Sequence, residues 1–409
     1  MTSNWFKEML LVSVQETNKV LKDSGLLLFF IIVPVLYPLL YAYLYNNENI
    51  REVPVVVVDE CGSSLSREFL SKSDATPDIR IVAHCSDFEE AQEMIRNHMA
   101  YGIIYVPAEF SRELAYGRQA TVNLYCDMSG LLYYKCIYSG CTHVSLEMNK
   151  EIKMSRMGGI SQHEMNVNAM PVEYDYVTMY NPRSGFCTYL IPAILVLIIQ
   201  QTLVLGITLL AGTEREERQK GINLVGEFDA HPLSVFGGKT ICYVCFYTMV
   251  CVYSFWLLPK LFHLPQMWHP HDLIQLMIPM LLASIFFAMT ISFFVRERES
   301  CFLLFMFMSV PLLFMSGISW PRSAMPGFWK AFSCLFPSTF GINGYVRMAN
   351  MGATLHEVRR ECIWLWAQAA FYASTTVLIY IRLYRSTHMP DFKYMSKAAI
   401  ERFRKRIGR

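Results

Sequence analysis

Charged residues are scarce in this chain. Asp, Glu, Lys and Arg make up 17% of the 409 residues, whereas apolar residues make up 53%. A soluble domain usually carries roughly 25% charged residues, so the composition favours a membrane protein. The formal net charge is only +2, which gives no overall electrostatic reason to expect a nucleic-acid partner.

Motifs for metal or nucleotide binding are also lacking. Cys242 and Cys245 form a single Cys-x-x-Cys pair, and no second pair completes a zinc site. The segment Gly237-Gly238-Lys239-Thr240 ends like a phosphate-binding loop, but Leu233 stands where the first glycine of that motif belongs. We therefore predict no catalytic residue, no metal and no cofactor in this chain.

Long apolar runs, by contrast, are abundant. An α-helix rises about 1.5 Å per residue and needs about 20 mostly apolar residues to cross a hydrocarbon core of about 30 Å. Six runs approach or exceed that length, and they cover residues 24–45, 186–211, 241–258, 273–295, 301–318 and 362–381. We therefore predict an α-helical membrane protein with six transmembrane helices, five of them within residues 185–381.

Residues 46–184 lack a spanning run and show the periodicities of a water-exposed domain. Short runs rich in β-branched residues predict strands at residues 53–58, 79–83, 101–106 and 120–126. Strands that alternate with helices form a sheet that is at least partly parallel, so we predict an inserted, extracytoplasmic α/β domain. Five cysteines in this domain leave the disulfide pairing open, and they are Cys61, Cys85, Cys126, Cys136 and Cys141.

Six crossings place both chain ends on one side of the membrane. The tail at residues 382–409 carries nine Lys and Arg residues, and basic segments concentrate on the cytoplasmic side. We therefore predict a basic cytoplasmic tail, and a cytoplasmic helix at residues 1–23 that lies in the membrane interface. Basic residues before the last run, among them Arg322 and Arg359, oppose this orientation, but the tail outweighs them.

The segment at residues 319–351 is rich in proline, glycine and aromatic residues. It is too polar and too interrupted to span the membrane, and it favours a re-entrant pair of half-helices on the outer side. We predict that it forms an outer gate, with Pro321, Pro326 and Pro337 at its breaks. A passive cap on the membrane surface is the alternative.

The predicted spans contain no Asp, Glu, Lys, Arg or His. Ion-coupled transporters need an ionisable or coordinating group near the middle of the membrane, and a membrane-embedded enzyme needs polar catalytic groups. The sequence therefore argues against both classes, and a transporter of this kind needs energy from a partner. Gln200 and Gln201 are candidates for a substrate path, although hydrogen bonding between helices explains them equally well.

Several stretches of the sequence occur in an order that resembles a known family. They are VPVVVVDE, the Tyr180-Asn181-Pro182 segment before the second span, EREER followed by Lys220-Gly221, Pro232 with Gly238-Lys239, and the segment from FMSGISWP to FGINGY before the last span. This order is similar to the permease subunit of type-2 ATP-binding-cassette exporters, in the branch with a large extracytoplasmic domain.

The resemblance implies both partners and a location. Such a permease pairs with a second permease subunit, identical or different, and with a separate ABC ATPase that binds ATP and Mg. It implies a Gram-negative inner membrane, a substrate moved outward, and a periplasmic adaptor and outer-membrane channel as further candidate partners. The apolar, glutamine-poor spans favour an amphipathic or hydrophobic substrate. Membrane lipid is the remaining expected partner, and nucleic acid is not one.

The charged segment after the second span is the candidate site of coupling to the ATPase, within residues 213–239. Its mixed charges suit a specific protein contact, although a solvated charged flank is the simpler alternative. By resemblance, seven residues are assigned to this contact, and they are Glu214, Arg215, Glu216, Glu217, Arg218, Lys220 and Lys239.

A second class of function stays open at this point, namely a membrane scaffold or receptor whose α/β domain binds an envelope partner. Dispensability of the charged segment would distinguish it from a permease.

The loop before the fourth span contains a group of potential metal ligands. They are His263, His269, His271 and Asp272, and their spacing matches no familiar metal site. We interpret these residues as solvated side chains at the interface.

Overall fold

The computed structural model describes residues 2–46, 48–156, 177–181, 185–219, 231–295 and 297–388. The chain divides into two compact units, one of residues 47–178 and one that combines residues 1–46 with residues 179–409. The α/β domain predicted from the sequence, at residues 46–184, extends slightly beyond the end of the unit of residues 47–178. Each unit has its own hydrophobic core.

The unit of residues 47–178 is built on a four-stranded sheet. Its strands are β1 (Val53–Asp59), β2 (Ile79–His84), β3 (Gly102–Val106) and β4 (Asn123–Cys126). The order is β2-β1-β3-β4, with β1 parallel to both neighbours and β4 antiparallel to β3. The valines of β1 are buried on both faces, as expected of a central parallel strand.

Four helices in the described residues cover this sheet. They are α3 (Ser64–Asp74), α4 (Phe88–Arg96), α5 (Phe110–Ala115) and α6 (Leu131–Arg156). Ser63 caps α3 through a reciprocal bond with Ser66, and Asp87 caps α4. Phe69, Phe110 and Ile137 pack on one face of the sheet, whereas Ala91 packs on the other.

The regular secondary structure in the described residues of the second unit is all helical. Its helices are α1 (Thr2–Lys22), α2 (Ser24–Leu44), α7 (Phe186–Gln219), α8 (Pro232–Leu261), α9 (Pro270–Ser292), α10 (Ser300–Met315), α11 (Gly327–Ser333), α12 (Pro337–Met351) and α13 (Arg359–His388). A short 3₁₀ turn, Arg322–Ala324, precedes α11.

Five of these helices are long and apolar enough to cross a membrane, namely α2, α7, α8, α9 and α13. The fifth predicted span, at residues 301–318, corresponds to the 16-residue helix α10. At 1.5 Å per residue this helix is about 24 Å long, which is shorter than a hydrocarbon core of about 30 Å. Helix length alone therefore supports five crossings rather than the predicted six.

Helix α7 lies at the centre of the helical unit. Its apolar stretch is buried along its whole length by other parts of the chain, and α2, α9, α10 and α12 pack around it. A helix that is apolar on all sides belongs in such a position. At Gly206 an added Cβ would lie 2.4 Å from the ring of Phe30, so glycine permits α2 to approach closely.

Two of the long helices contain a wider π-turn just before a proline. The turn Leu28–Ile32 precedes Pro34 in α2, and Tyr253–Leu257 precedes Pro259 in α8. Proline lacks an N–H group and its ring collides with the carbonyl four residues earlier, and a π-turn relieves that collision. In α8 the freed carbonyl of Phe255 accepts a bond of 2.8 Å from Gln266 Nε2.

Candidate functional site: ionic contacts at one end of the apolar helices

Two carboxylates and two ammonium groups meet where α1, α7 and α8 converge. Lys19 Nζ lies 2.5 Å from Glu214 Oε1 and 3.8 Å from Glu16 Oε2. Lys239 Nζ lies 3.3 Å from Glu214 Oε2 and 3.4 Å from Glu16 Oε1. Tyr243 donates a hydrogen bond to Glu16. We call Glu16, Lys19, Glu214 and Lys239 the buried ion network.

The network forms because two glycines allow α1 to lie against α8. A Cβ added to Gly238 would lie 2.6 Å from the carbonyl oxygen of Met9 and 2.7 Å from Val12 Cβ. One at Gly237 would lie 2.7 Å from the sulfur of Met9. The segment that weakly resembled a phosphate-binding loop is therefore a helix surface that packs against another helix.

Burial makes the buried ion network sensitive to the loss of any one of its charges. Glu16, Glu214 and Lys239 are each at least nine-tenths buried, at 1%, 7% and 7% exposure. The attraction between the carboxylates and the ammonium groups offsets the cost of removing these charges from water. Removing one partner from a buried ion pair costs about 3–5 kcal/mol, because it leaves a buried charge without its counterion.

A small cavity borders the network. It has a volume of about 80 Å³ and is lined in part by Glu214, Lys239 and Tyr243, with Tyr380 and Leu383 from α13. This volume holds a few water molecules. The last part of α13 therefore reaches the same end of the helical unit as α1.

A second ionic group, the turn cluster of Asp23, Glu216 and Arg298, lies at the same end. Arg298 donates to both carboxylate oxygens of Asp23, at 2.9 and 3.0 Å. Its backbone N–H donates to Glu216 Oε1 at 2.7 Å. Asp23 also caps α2 by accepting from the N–H of Gly25 at 2.8 Å. The cluster thereby joins the start of α2, the end of α7 and the turn before α10.

Arg215 caps the carboxyl end of α9 with its side chain. Its guanidinium donates to the carbonyl of Phe293 at 3.1 Å and to the carbonyl of Val295. The last carbonyls of a helix have no partner within the helix and need one from outside. Arg215 supplies that partner from α7.

The turn cluster shifts the pKa values of its two charged partners in opposite directions. Burial pushes the pKa of Asp23 upward, but the Arg298 guanidinium and the N–H groups of Leu26 and Gly25 outweigh it and hold the pKa below its ordinary value. The hydrogen bond to Asp23 raises the pKa of Arg298. Both residues are therefore charged at neutral pH.

The structure places most of the predicted coupling residues in internal contacts. Glu214 and Lys239 belong to the buried ion network, Glu216 belongs to the turn cluster, and Arg215 binds the end of α9. Glu217 is half-buried at the last described turn of α7. Arg218 continues that helix, and Lys220 lies outside the described residues. The charged segment up to Gln219 is thus an extension of α7.

Gln200 and Gln201 lie in the buried middle of α7, at 0% and 4% exposure. The carbonyl oxygen of Gln200 accepts from the N–H of Ser338, in the first turn of α12. The amide nitrogens of both glutamines lack a partner within the described part of the chain. Gln200 thus joins two helices, and both residues offer amide donors within the buried interior.

The three prolines of the predicted outer gate each begin a helical segment. Pro321 precedes the 3₁₀ turn, Pro326 precedes α11, and Pro337 is the first residue of α12. Pro321 and Pro326 are exposed, whereas Pro337 is buried. The segment contains two short helices joined by a tight turn, and α12 packs against α7 and α9.

At the start of α9, His271 and Asp272 make local polar contacts. His271 Nδ1 lies 3.3 Å from Asp272 Oδ1, and its other ring nitrogen lies 2.9 Å from Gln275. Asp272 also accepts from the N–H of Leu355 at 3.4 Å. Among the described residues, no group of three His, Cys, Asp or Glu side chains is placed to hold a metal ion.

Sequence reasoning missed four residues of this site, namely Glu16, Lys19, Asp23 and Arg298. A signal existed for Glu16, since it lies four residues from both Val12 and Val20. Residues at that spacing share a helix face, and both valines are buried. No local pattern identified the partners of Asp23 and Arg298, because those contacts join distant segments.

Several long apolar helices with ionic contacts at one end define a multi-pass integral membrane protein. The family model described as ABC-2 family transporter protein matches residues 24–378, which is most of the chain. The chain therefore belongs to this family, and the predicted resemblance to a type-2 ATP-binding-cassette permease is confirmed. Members are membrane permease components rather than catalytic subunits. Comparison with curated proteins gives no match.

Proposed function

We propose that this chain is the permease subunit of an ATP-driven exporter. It moves a small amphipathic or hydrophobic substrate out of the cytoplasm or the inner membrane, and a separate ABC ATPase binds ATP and Mg. The observation that carries the proposal is the buried ion network, because it fixes α1 and α8 to the end of the central helix α7. A force applied to that end would reach the centre of the helical unit.

Six crossings are supported by where α10 lies, despite its length. At its start, a Cβ added to Gly212 in α7 would lie 3.0 Å from Arg298 Cα. Beyond its end, the carbonyl of Ile318 accepts a hydrogen bond from Tyr189. Residues 189 and 212 are about 35 Å apart along a helix that rises 1.5 Å per residue. The segment from Arg298 to Ile318 therefore runs the length of a bilayer core.

The end with the two ionic groups would face the cytoplasm. The basic tail begins at Arg382, in the last turns of α13, and Leu383 lies beside the buried ion network. Basic residues concentrate on the cytoplasmic side of membrane proteins. This orientation places both termini in the cytoplasm of a bacterium, with the α/β unit outside its inner membrane.

Helix α1 would lie in the cytoplasmic interface of the membrane. One of its faces packs on α8, whereas Phe6, Leu10 and Val14, at four-residue spacing, are exposed. An exposed apolar stripe beside lysines suits the boundary between headgroups and acyl chains. Movement of α1 in that plane would be transmitted to α7 through the ion pair between Lys19 and Glu214.

A second permease subunit would complete the transporter. Helix α2 exposes Leu36, Leu40 and Leu44 at four-residue spacing, and α10 exposes Phe307 and Phe314. Such stripes suit contact with lipid or with another apolar helix. Homodimers and heterodimers are both compatible with these surfaces, and a periplasmic adaptor with an outer-membrane channel would take the substrate onward.

The α11 and α12 segment would close the outer exit of the path. Pro326 is exposed at the start of α11, where a neighbouring subunit could meet it. Replacing Pro326 with cysteine and crosslinking two subunits should stop export into inverted vesicles. Full export after crosslinking would contradict a gate and favour a passive cap.

The coupling residues can be tested at a single half-buried charge, that of Glu217. Glu214 and Glu216 have internal partners, so reversing them disturbs the fold as well as any ATPase contact. Glu217→Lys should reduce the ATPase that co-purifies at least tenfold, since the mixed charges of the segment give the contact its specificity.

The matched control for that experiment is Glu147→Lys, which reverses an exposed charge on α6 of the other unit. It should leave co-purification unchanged. Equal ATPase recovery with Glu217→Lys and Glu147→Lys would refute a role for Glu217, and equal insertion of both variants would exclude misfolding as the cause of any loss.

A further inference from the structure

The α/β unit contains a groove that none of the features above uses. Its volume is about 440 Å³, and its walls come from α3, α5, α6 and β4 with the loop before β4. Its floor consists of Phe69, Phe110, Cys141 and Met148, all of them buried. Pockets of about 300–1,000 Å³ with mostly apolar walls commonly bind small molecules.

The sides of the groove are half-buried and apolar. Leu114, Val122, Leu124 and Ile152 form them. A ligand that covers these side chains would remove apolar surface from water, which is the main source of affinity for a hydrocarbon chain. The groove therefore suits a chain-like or aromatic hydrocarbon group.

The rim of the groove is basic. Its charged lining residues in the described structure are Arg118, Lys153 and Arg156. Glu113 forms an ion pair with Arg118 at 3.7 Å. Arg156 donates to the carbonyl of Leu114, which holds its guanidinium at the groove mouth. Arginine is suited to carboxylate and phosphate groups because of its planar set of donors.

We propose that this groove binds a single-chain amphiphile with an anionic head group. The hydrocarbon chain lies on the apolar floor, and the carboxylate or phosphate meets the basic rim. Gln119, Ser145 and Asn149 at the edge offer further hydrogen bonds to the head group. The proposal requires neither ATP-driven export nor a particular orientation in the membrane, so it stands apart from the proposed function.

The site can be located by photolabelling of the full chain in lipid nanodiscs. The probe is a diazirine analogue of palmitic acid, and mass spectrometry identifies the labelled peptides. Label is expected in the peptides that contain Phe110 to Leu124 and Cys141 to Arg156. Unlabelled palmitic acid should compete at least tenfold better than hexadecanol, because the alcohol lacks the negative charge.

Two variants and one matched control distinguish binding of the hydrocarbon chain from binding of the head group. Ser145→Trp fills the groove from an exposed edge position and should remove the label, whereas His143→Trp on the same helix faces away and should keep it. The double variant Arg118→Gln with Lys153→Gln should retain labelling but lose the preference for acid over alcohol.

The unfolding midpoint of each variant should match that of the unmodified protein, which shows that the unit remains folded. Label confined to the apolar helices would overturn the proposal. Label that persists in Ser145→Trp, or equal competition by acid and alcohol in the unmodified protein, would overturn it as well.

Discussion

Ion pairs in the two units of this protein are chemically alike but differ in their surroundings. In the helical unit, Lys239 is 7% exposed and contacts two buried carboxylates. In the α/β unit, Lys72 also contacts two carboxylates, Glu68 and Glu151, but all three side chains reach water. Water screens the second group and not the first. The comparison teaches that burial, rather than the number of contacts, decides how much an ion pair contributes to the stability of the fold.

The largest expected effect follows from removing a buried charge. Lys239→Met removes one of the two ammonium groups that lie between Glu16 and Glu214, so the two buried carboxylates repel each other more strongly. We expect the free energy of unfolding to fall by about 3–5 kcal/mol, measured by denaturant unfolding in detergent. Export and ATPase binding should fall with it.

The control is Lys72→Met, which removes an equally paired lysine from the solvent-exposed group in the α/β unit. Exposed pairs contribute little to stability, and we expect no measurable change. Similar losses for the two variants would show that burial does not distinguish the two groups, and the comparison would fail.

A smaller effect is expected from pushing α1 away from α8. Gly238→Ala brings a Cβ within 2.6 Å of the Met9 carbonyl, and overpacking of this kind costs about 1–3 kcal/mol. Cysteines placed in α1 should then react faster with a water-soluble maleimide. The control is Gly327→Ala, because an added Cβ there meets nothing within 4 Å.

If Gly238→Ala leaves both stability and maleimide reaction rates unchanged, α1 does not depend on that close contact. The buried ion network would then need another explanation for its assembly.

The smallest effect concerns the pH dependence of the turn cluster. The folded protein lowers the pKa of Asp23, so the ionised form stabilises the fold above the ordinary pKa of the group. That stabilisation is lost as pH falls through the lower folded pKa. Asp23→Asn should therefore be less stable than the unmodified protein at pH 7, with the difference shrinking below about pH 4.

Unfolding midpoints measured from pH 7 to pH 2 would check this expectation. A difference that stays constant over the whole range would show that the carboxylate acts only as a neutral hydrogen-bond acceptor.

Much of the local structure follows from the sequence because its causes are local. The valine run at residues 53–58 corresponds to β1 (Val53–Asp59), and the longest apolar run corresponds to α7. The predicted strand at residues 120–126 is shorter, since β4 begins at Asn123. Helix α10 ends at Met315 rather than residue 318, before Gly317, whose φ of +95° does not suit a helix.

The site was less predictable because its contacts join segments that are far apart in sequence. Glu214 and Lys239 carried charges beside apolar runs, and sequence alone could not tell an outward surface from an inward contact. Their partners on α1 bring these charges inward, and the two glycines of α8 make that approach possible. Residue spacing reveals a helix face, but it does not reveal which helix covers that face.

The central claim is that a separate ATPase acts on this permease. A mild-detergent pull-down of the tagged protein from its native membrane, quantified by mass spectrometry, tests it most directly. We predict that an ATP-binding-cassette ATPase elutes in a near one-to-one ratio with the permease. Elution without any such ATPase, under conditions that preserve a known transporter complex, would contradict the account and favour a scaffold or receptor.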